Sequence, residues 1–243
     1  MSNLDKKGNN SLNNAIDEIG KLIIADYIKL NRQHPYIVGI AGCAGVGKST
    51  FAEEIKKTLE IKKKKVKIIG FDDFFKSREE RRKLGTEWDE NHVRLEDLVT
   101  FFNKIKEGAK RIPITRYVRD PQVGDSQLIK EEVNFDGIDI IIFEGLYAIS
   151  SEKRLGNLLQ FVDFSIYLDA EISDIKEWRY EQETKKDSKK QRTLMEMDTH
   201  WEKGIVPDIK NNVAPSRKNA HLIIHFDSER NVSSKEIKKK AGF

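Results

Sequence analysis

The chain has 243 residues, with 44 Lys plus Arg against 40 Asp plus Glu and a single cysteine. A net charge of +4, spread among interspersed acids and bases, excludes the footprint of a nucleic-acid binder; the lone cysteine excludes an internal disulfide; no apolar stretch approaches the length that spans a bilayer. A hydrophobic content of 38% over this length supplies one sizeable core, and the polar first ten residues lack the apolar segment of a signal peptide, so a cytoplasmic protein without membrane or nucleic-acid partners is expected.

Residues 1–10 read as disordered and residues 11–243 as a single domain. Leu12, Ile16, Ile19, Leu22, Ile23, Tyr27 and Leu30 then mark one face of a long amphipathic helix. Residues 36–41 read as a buried strand and residues 51–59 as the opening of another amphipathic helix. Between them lies Gly42-Cys43-Ala44-Gly45-Val46-Gly47-Lys48-Ser49, followed by Thr50. The spacing G-x-x-x-x-G-K-[ST] at a strand-to-helix junction predicts a phosphate cradle, because glycines let backbone N–H groups turn inward and the helix presents its positive end to the same point. Lys48 is expected to reach the β- and γ-phosphates of a nucleoside triphosphate, and Ser49 to ligate Mg²⁺. Cys43 reads as a small residue in a tight turn, since no second thiol exists to resolve an oxidised one.

Residues 66–70 form a second predicted strand, ending in Asp72-Asp73. Asp72 is the candidate base, because in doubly wound topology this strand can end beside the phosphate loop. Residues 94–106 read as helix, residues 111–117 as extended, and the stretch to residue 135 as a small hairpin. The near-continuous apolar run 138–143 has the signature of a parallel sheet covered on both faces and stops at Glu144-Gly145, where Glu144 is expected near Mg²⁺. A further strand spans 164–169, helix follows from Ile172, and a last strand covers 220–225. Strands alternating with helices predict an α/β fold of the P-loop NTPase type: a doubly wound, mostly parallel sheet with helices on both faces, the informative residues at strand carboxyl ends, and a small lid at about 183–193. The lid reading rests on the charged run 185–190, which has no apolar residue to bury.

Residues 39–50, 71–76 and 141–148, in that order and at these spacings, resemble the phosphoribulokinase, uridine kinase and pantothenate kinase superfamily. The stretch 201–217 is similar to the C-terminal segment of bacterial pantothenate kinases. The resemblance implies a kinase using ATP and Mg²⁺ and acting on a hydroxyl of a small metabolite, with a uridine-like or pantothenate-like acceptor. It matches Asp72 to the family's base, Glu144 to its E-G glutamate, Asn212 to a substrate-contacting Asn and Tyr117 to a substrate-pocket Tyr. Two departures concern the acceptor. The His that follows the Tyr in relatives is absent from Tyr117-Val118-Arg119-Asp120-Pro121, and the lid-helix Arg is replaced, with Arg179 beside Trp178 as the substitute. Arg116, Arg119 and Arg179 leave a phosphorylated acceptor open. The segment 85–94 is expected to help form the acceptor pocket, with His92 structural. A homodimer also stays open, and the competing reading is a P-loop NTPase acting as a regulatory or accessory factor.

Overall fold

The computed structural model describes residues 3–30, 32–84, 90–120, 125–184 and 192–238. Six strands build one sheet in the order β2-β5-β1-β6-β7-β8, with β1 Tyr36–Gly42, β2 Val66–Gly70, β5 Ile140–Glu144, β6 Phe164–Asp169, β7 Leu222–Phe226 and β8 Val232–Ile237. Neighbours are parallel except at the β7–β8 edge, which is antiparallel. Strand β1 sits centrally and every one of its residues is buried, the reason its sequence is a continuous apolar run instead of an alternating one. The sheet is thus mostly parallel, as the alternation of strands and helices predicts.

The helices cover both faces. In α2 (Lys48–Ile61), Phe51, Ala52, Ile55 and Leu59 turn inward at helical spacing. In α4 (Leu95–Lys106) the buried set is Leu98, Phe101, Phe102 and Ile105. Helix α1 spans Asn3–Leu30, so helical backbone begins within the segment expected to be disordered. Once residues from Leu12 onward nucleate the helix on the core, each further residue adds one hydrogen bond for one residue fixed, and a polar end can follow. Gly20 lets α1 lie close on α2, since a Cβ there would sit 2.7 Å from Thr58 Cγ2.

The expected hairpin forms from β3 (Arg111–Asp120) and β4 (Asp125–Asn134), a separate antiparallel pair. A short helix, α3 (Arg78–Lys83), opens on a capping box in which Ser77 and Glu80 satisfy each other's backbone N–H groups. Helix α5 spans Ile172–Thr184 and α6 Leu194–His200. From Trp201 the chain stays helical to Asn219 but passes through two π-turns, Trp201–Ile205 and Ile209–Val213. Pro207 and Pro215 each lie just beyond one, where the wider turn accommodates a residue with no N–H to donate. One cluster of buried side chains runs from Ile16 to Ile224. Among the described residues, no helix is long and apolar enough to cross a membrane.

Candidate active site

Register puts the key residues side by side. In β5, Glu144 pairs with Ile40 of β1 on one side and with Gly70 of β2 on the other. Two residues past Ile40 the chain enters the glycine loop, and two past Gly70 it reaches Asp72. The three motifs separated in sequence therefore meet at the carboxyl edge of three adjacent strands.

Gly45 and Gly47 hold φ of 94° and 95°, conformations that L side chains rarely adopt. At Gly47 nothing lies within 4 Å of where a Cβ would be, which leaves the backbone open to a ligand. Lys48 Nζ donates to the Cys43 carbonyl at 2.9 Å, holding the amine over the loop. Burial lowers its pKa, opposed by Glu144 and Asp72, so these three charges act on one another. Ser49 Oγ donates to Glu144 Oε1 at 2.8 Å. This hydroxyl and carboxylate form a pair of hard oxygen donors, which fits Mg²⁺, a cation that takes few protein oxygens and keeps its remaining places for waters and phosphates.

A cavity of about 640 Å³ opens over these groups. Of the expected site residues, Ala44, Gly45, Gly47, Lys48, Ser49, Thr50, Asp72, Arg119, Glu144 and Arg179 line it. Gly42, Cys43 and Val46 shape the loop from behind. Cys43 is buried, and that burial pushes its thiol up to about 11, in keeping with a packing role. Asp72 is exposed to the cavity but set among the protein groups that crowd its walls. The partial loss of water around it raises its carboxyl above the ordinary carboxylate range, with Lys48, Arg119 and Arg81 pulling the other way. Burial raises Glu144 likewise. Asp73, the other half of the acidic pair, faces away: it accepts from the Gly70 backbone N–H at 3.0 Å and pairs with Arg116 at 2.7 Å.

Arg179 packs on the loop itself. A Cβ on Gly45 would lie 2.5 Å from Arg179 Cγ, so the glycine makes room for this arginine. The charged run 185–190 falls outside the described residues, but Gln182, Glu183 and Arg192 on its flanks line the cavity. Two expected substrate residues sit one layer back. Tyr117 does not line the cavity; its hydroxyl accepts from Arg81 Nη2 at 2.8 Å, and Arg81 is the residue that does. Asn212 is also absent from the wall, its amide donating to Asp208 at 2.6 Å and its oxygen accepting from Arg154. Asp208 lines the cavity in its place. Residues 85–89 of the expected acceptor segment lie outside the described residues. His92 is buried, its carbonyl accepting from the Lys76 backbone, and Arg94 bonds the carbonyls of Asp73, Phe75 and Thr115, so this part of the segment supports the wall from behind.

Sequence reasoning missed Arg81, Arg192, His200 and Asp208. For Arg81 a signal existed, since the Ser77-to-Glu80 capping box announces a helix whose last turn carries it. Arg192 and His200 flank α6, before its first residue and at its end, and Asp208 is brought in by the helical run that follows, whose π-turns no periodicity reveals.

Comparison with known proteins agrees with this geometry. The model of the Phosphoribulokinase / Uridine kinase family matches residues 37–233, and the chain belongs to that family. It is similar to a pantothenate kinase of Shewanella loihica, 29% identical over 226 residues that cover 79% of this chain and 68% of that one. It is 27% identical over 197 residues to a uridine kinase of Saccharomyces cerevisiae, covering 78% of this chain but only 36% of the yeast enzyme. A solved D-glycerate 3-kinase from Cryptococcus neoformans shares the fold at a TM-score of 0.69 and 15% identity, over 92% of this chain and 99% of that one. The chain is accordingly an ATP-dependent small-molecule kinase with an alcohol group as acceptor.

Proposed function

We propose that this protein moves the γ-phosphoryl group of ATP onto a hydroxyl of a small metabolite of the pantothenate or uridine kind, and that Asp72 is the base. The observation that carries the reading is the meeting of Asp72 with Lys48, Ser49 and Glu144 in one cavity. A switch NTPase has no use for a carboxylate where an acceptor hydroxyl would lie. In the reaction, the loop N–H groups and Lys48 hold the β- and γ-phosphates, and Arg179 brings further positive charge to the migrating group. The acceptor oxygen gives its proton to Asp72 as it bonds to phosphorus, the bond to the β-phosphate oxygen breaks, and ADP leaves. Mg²⁺ held by Ser49 and Glu144 would neutralise phosphate charge when bound. Its setting at the cavity wall suits Asp72 to the task, since a pKa raised by desolvation makes the carboxylate a better proton acceptor near neutral pH.

The test is a metabolite panel read by coupled ADP release. The expected result is ATP consumption that appears only with one class of hydroxyl compound. Constant hydrolysis whatever is added would favour the NTPase reading and overturn this one.

A further inference from the structure

The phosphate loop accounts for the donor; the wall beside Asp72 has a charge pattern of its own. Three arginines come to this wall from α3 and β3: Arg81, Arg116 and Arg119. Arg116 is neutralised twice over, by Asp73 at 2.7 Å and by Glu131 at 2.8 Å. Arg81 and Arg119 line the cavity, and among the described residues no carboxylate pairs with either. Both guanidiniums lie close enough to act on the Asp72 carboxyl.

Arg81 is also built in place. Its Nε donates to the Lys76 carbonyl at 3.2 Å and its Nη2 to the Tyr117 hydroxyl at 2.8 Å. Its guanidinium lies 5.0 Å from the Phe75 ring centroid and 5.1 Å from that of Tyr117, and those two rings meet edge to face. A cation held by neutral partners on an aromatic platform keeps its charge and part of its donor fork for something else.

We propose that the acceptor is an anionic hydroxy compound whose carboxylate or phosphate group is held by Arg81 and Arg119 beside Asp72; the proposal rests on the phosphotransfer reading of the same cavity. A planar fork next to a second guanidinium matches the oxygens of either anion, and gripping the acceptor there orients its hydroxyl toward the base. Tyr117, one layer back, becomes a positioning residue that fixes Arg81. Neutral nucleosides are disfavoured, because they would cover both cations and supply no anion in exchange for the lost water.

Two measurements test this. The first gives the enzyme matched pairs that differ only in the anionic group: pantothenate against its neutral primary amide and D-glycerate against glycerol for the carboxylate arm, ribulose 5-phosphate against ribulose for the phosphate arm, with uridine as a neutral comparator. The expected result is turnover of an anionic member, with kcat/KM lower for its neutral counterpart by at least about 10²-fold. For that acceptor, Arg81→Gln and Arg119→Gln should each raise KM by roughly 10- to 100-fold, with the KM for ATP little changed. Efficient turnover of uridine or another neutral member overturns the anionic acceptor while leaving the kinase reading intact. Acceptor-independent ATP hydrolysis overturns the kinase reading instead.

The second measurement does not depend on knowing the acceptor. Inorganic phosphate and malonate are titrated by calorimetry into enzyme saturated with a non-hydrolysable ATP analogue, so that the phosphate loop is filled. Uptake of at least one anion by the wild type, lost in Arg119→Gln and in Arg81→Gln, is expected. No uptake of either, or uptake unchanged in both variants, overturns the proposal.

Discussion

Asp72 is the residue on which the chemistry turns, and its environment makes a prediction with a sign. Asp72→Asn keeps the shape and removes proton acceptance, so turnover should fall by on the order of 10² to 10⁴ at saturating ATP while ATP affinity is nearly kept. Kinetics and equilibrium nucleotide binding on one preparation separate the two effects. Lost affinity with retained turnover would make Asp72 a metal ligand. The active base is the ionised form, and desolvation raises the pKa of both Asp72 and its neighbour Glu144. Activity is therefore present above the raised value and is lost as pH falls through it. The acid limb of kcat/KM should lie above the ordinary aspartate value of about 3.9. A limb at that ordinary value would show that the cavity leaves the carboxyl fully hydrated. The contrast with Asp73 is one of partners: an identical side chain one position on is tied to Arg116 and the Gly70 N–H, and is removed from chemistry.

At the scale of elements, two junctions position the site. Helix α5 lays Arg179 across the glycine loop, and Gly45 is small enough to admit it. If that arginine stabilises the migrating phosphoryl group, Arg179→Ala lowers kcat by roughly 10²- to 10³-fold, with a smaller change in the KM for ATP. Steady-state kinetics decide, because an arginine that only packs on the loop would leave kcat near wild type. The second junction follows β5. At Gly145 a Cβ would lie 2.2 Å from Phe71 Cβ, and Phe71 is fully buried immediately before Asp72. Gly145→Ala must push Phe71 away or distort the strand end, so it should cost about 1–3 kcal/mol of stability and also reduce turnover. Urea unfolding measures the first effect. A variant as stable as the wild type would show that this strand end yields freely. The other junctions were legible to different degrees. The Ser77 capping box marks the start of α3, whereas β8 is a polar edge strand, largely exposed, with no apolar alternation to announce it.

For the whole molecule, the long first helix is tied to the sheet by polar contacts as well as by its apolar face. The Tyr36 hydroxyl at the start of β1 donates to the buried Asp26, Tyr27 donates to Asp139 at 3.0 Å, and Lys235 of β8 pairs with Glu18. Tyr36→Phe removes one donor from a buried carboxylate and should cost about 1–3 kcal/mol, with kinetic constants unchanged because the contact lies at the opposite end of β1 from the loop. Chemical denaturation and assay of the same variant check both halves of that statement. The sequence by itself determined the phosphate cradle, the α/β class and the three strand-end motifs, since each is written in local spacing: glycines where the backbone must turn, apolar runs where a strand is covered twice, carboxylates where a strand stops. Only the tertiary structure decided which of those residues face the ligand. Register set Glu144 between the loop and Asp72, pairing with Arg116 took Asp73 out of the cavity, and Arg81 entered it while Tyr117 and Asn212 stayed one layer behind. The direction a side chain faces depends on neighbours that lie far away along the chain, and spacing carries no record of them.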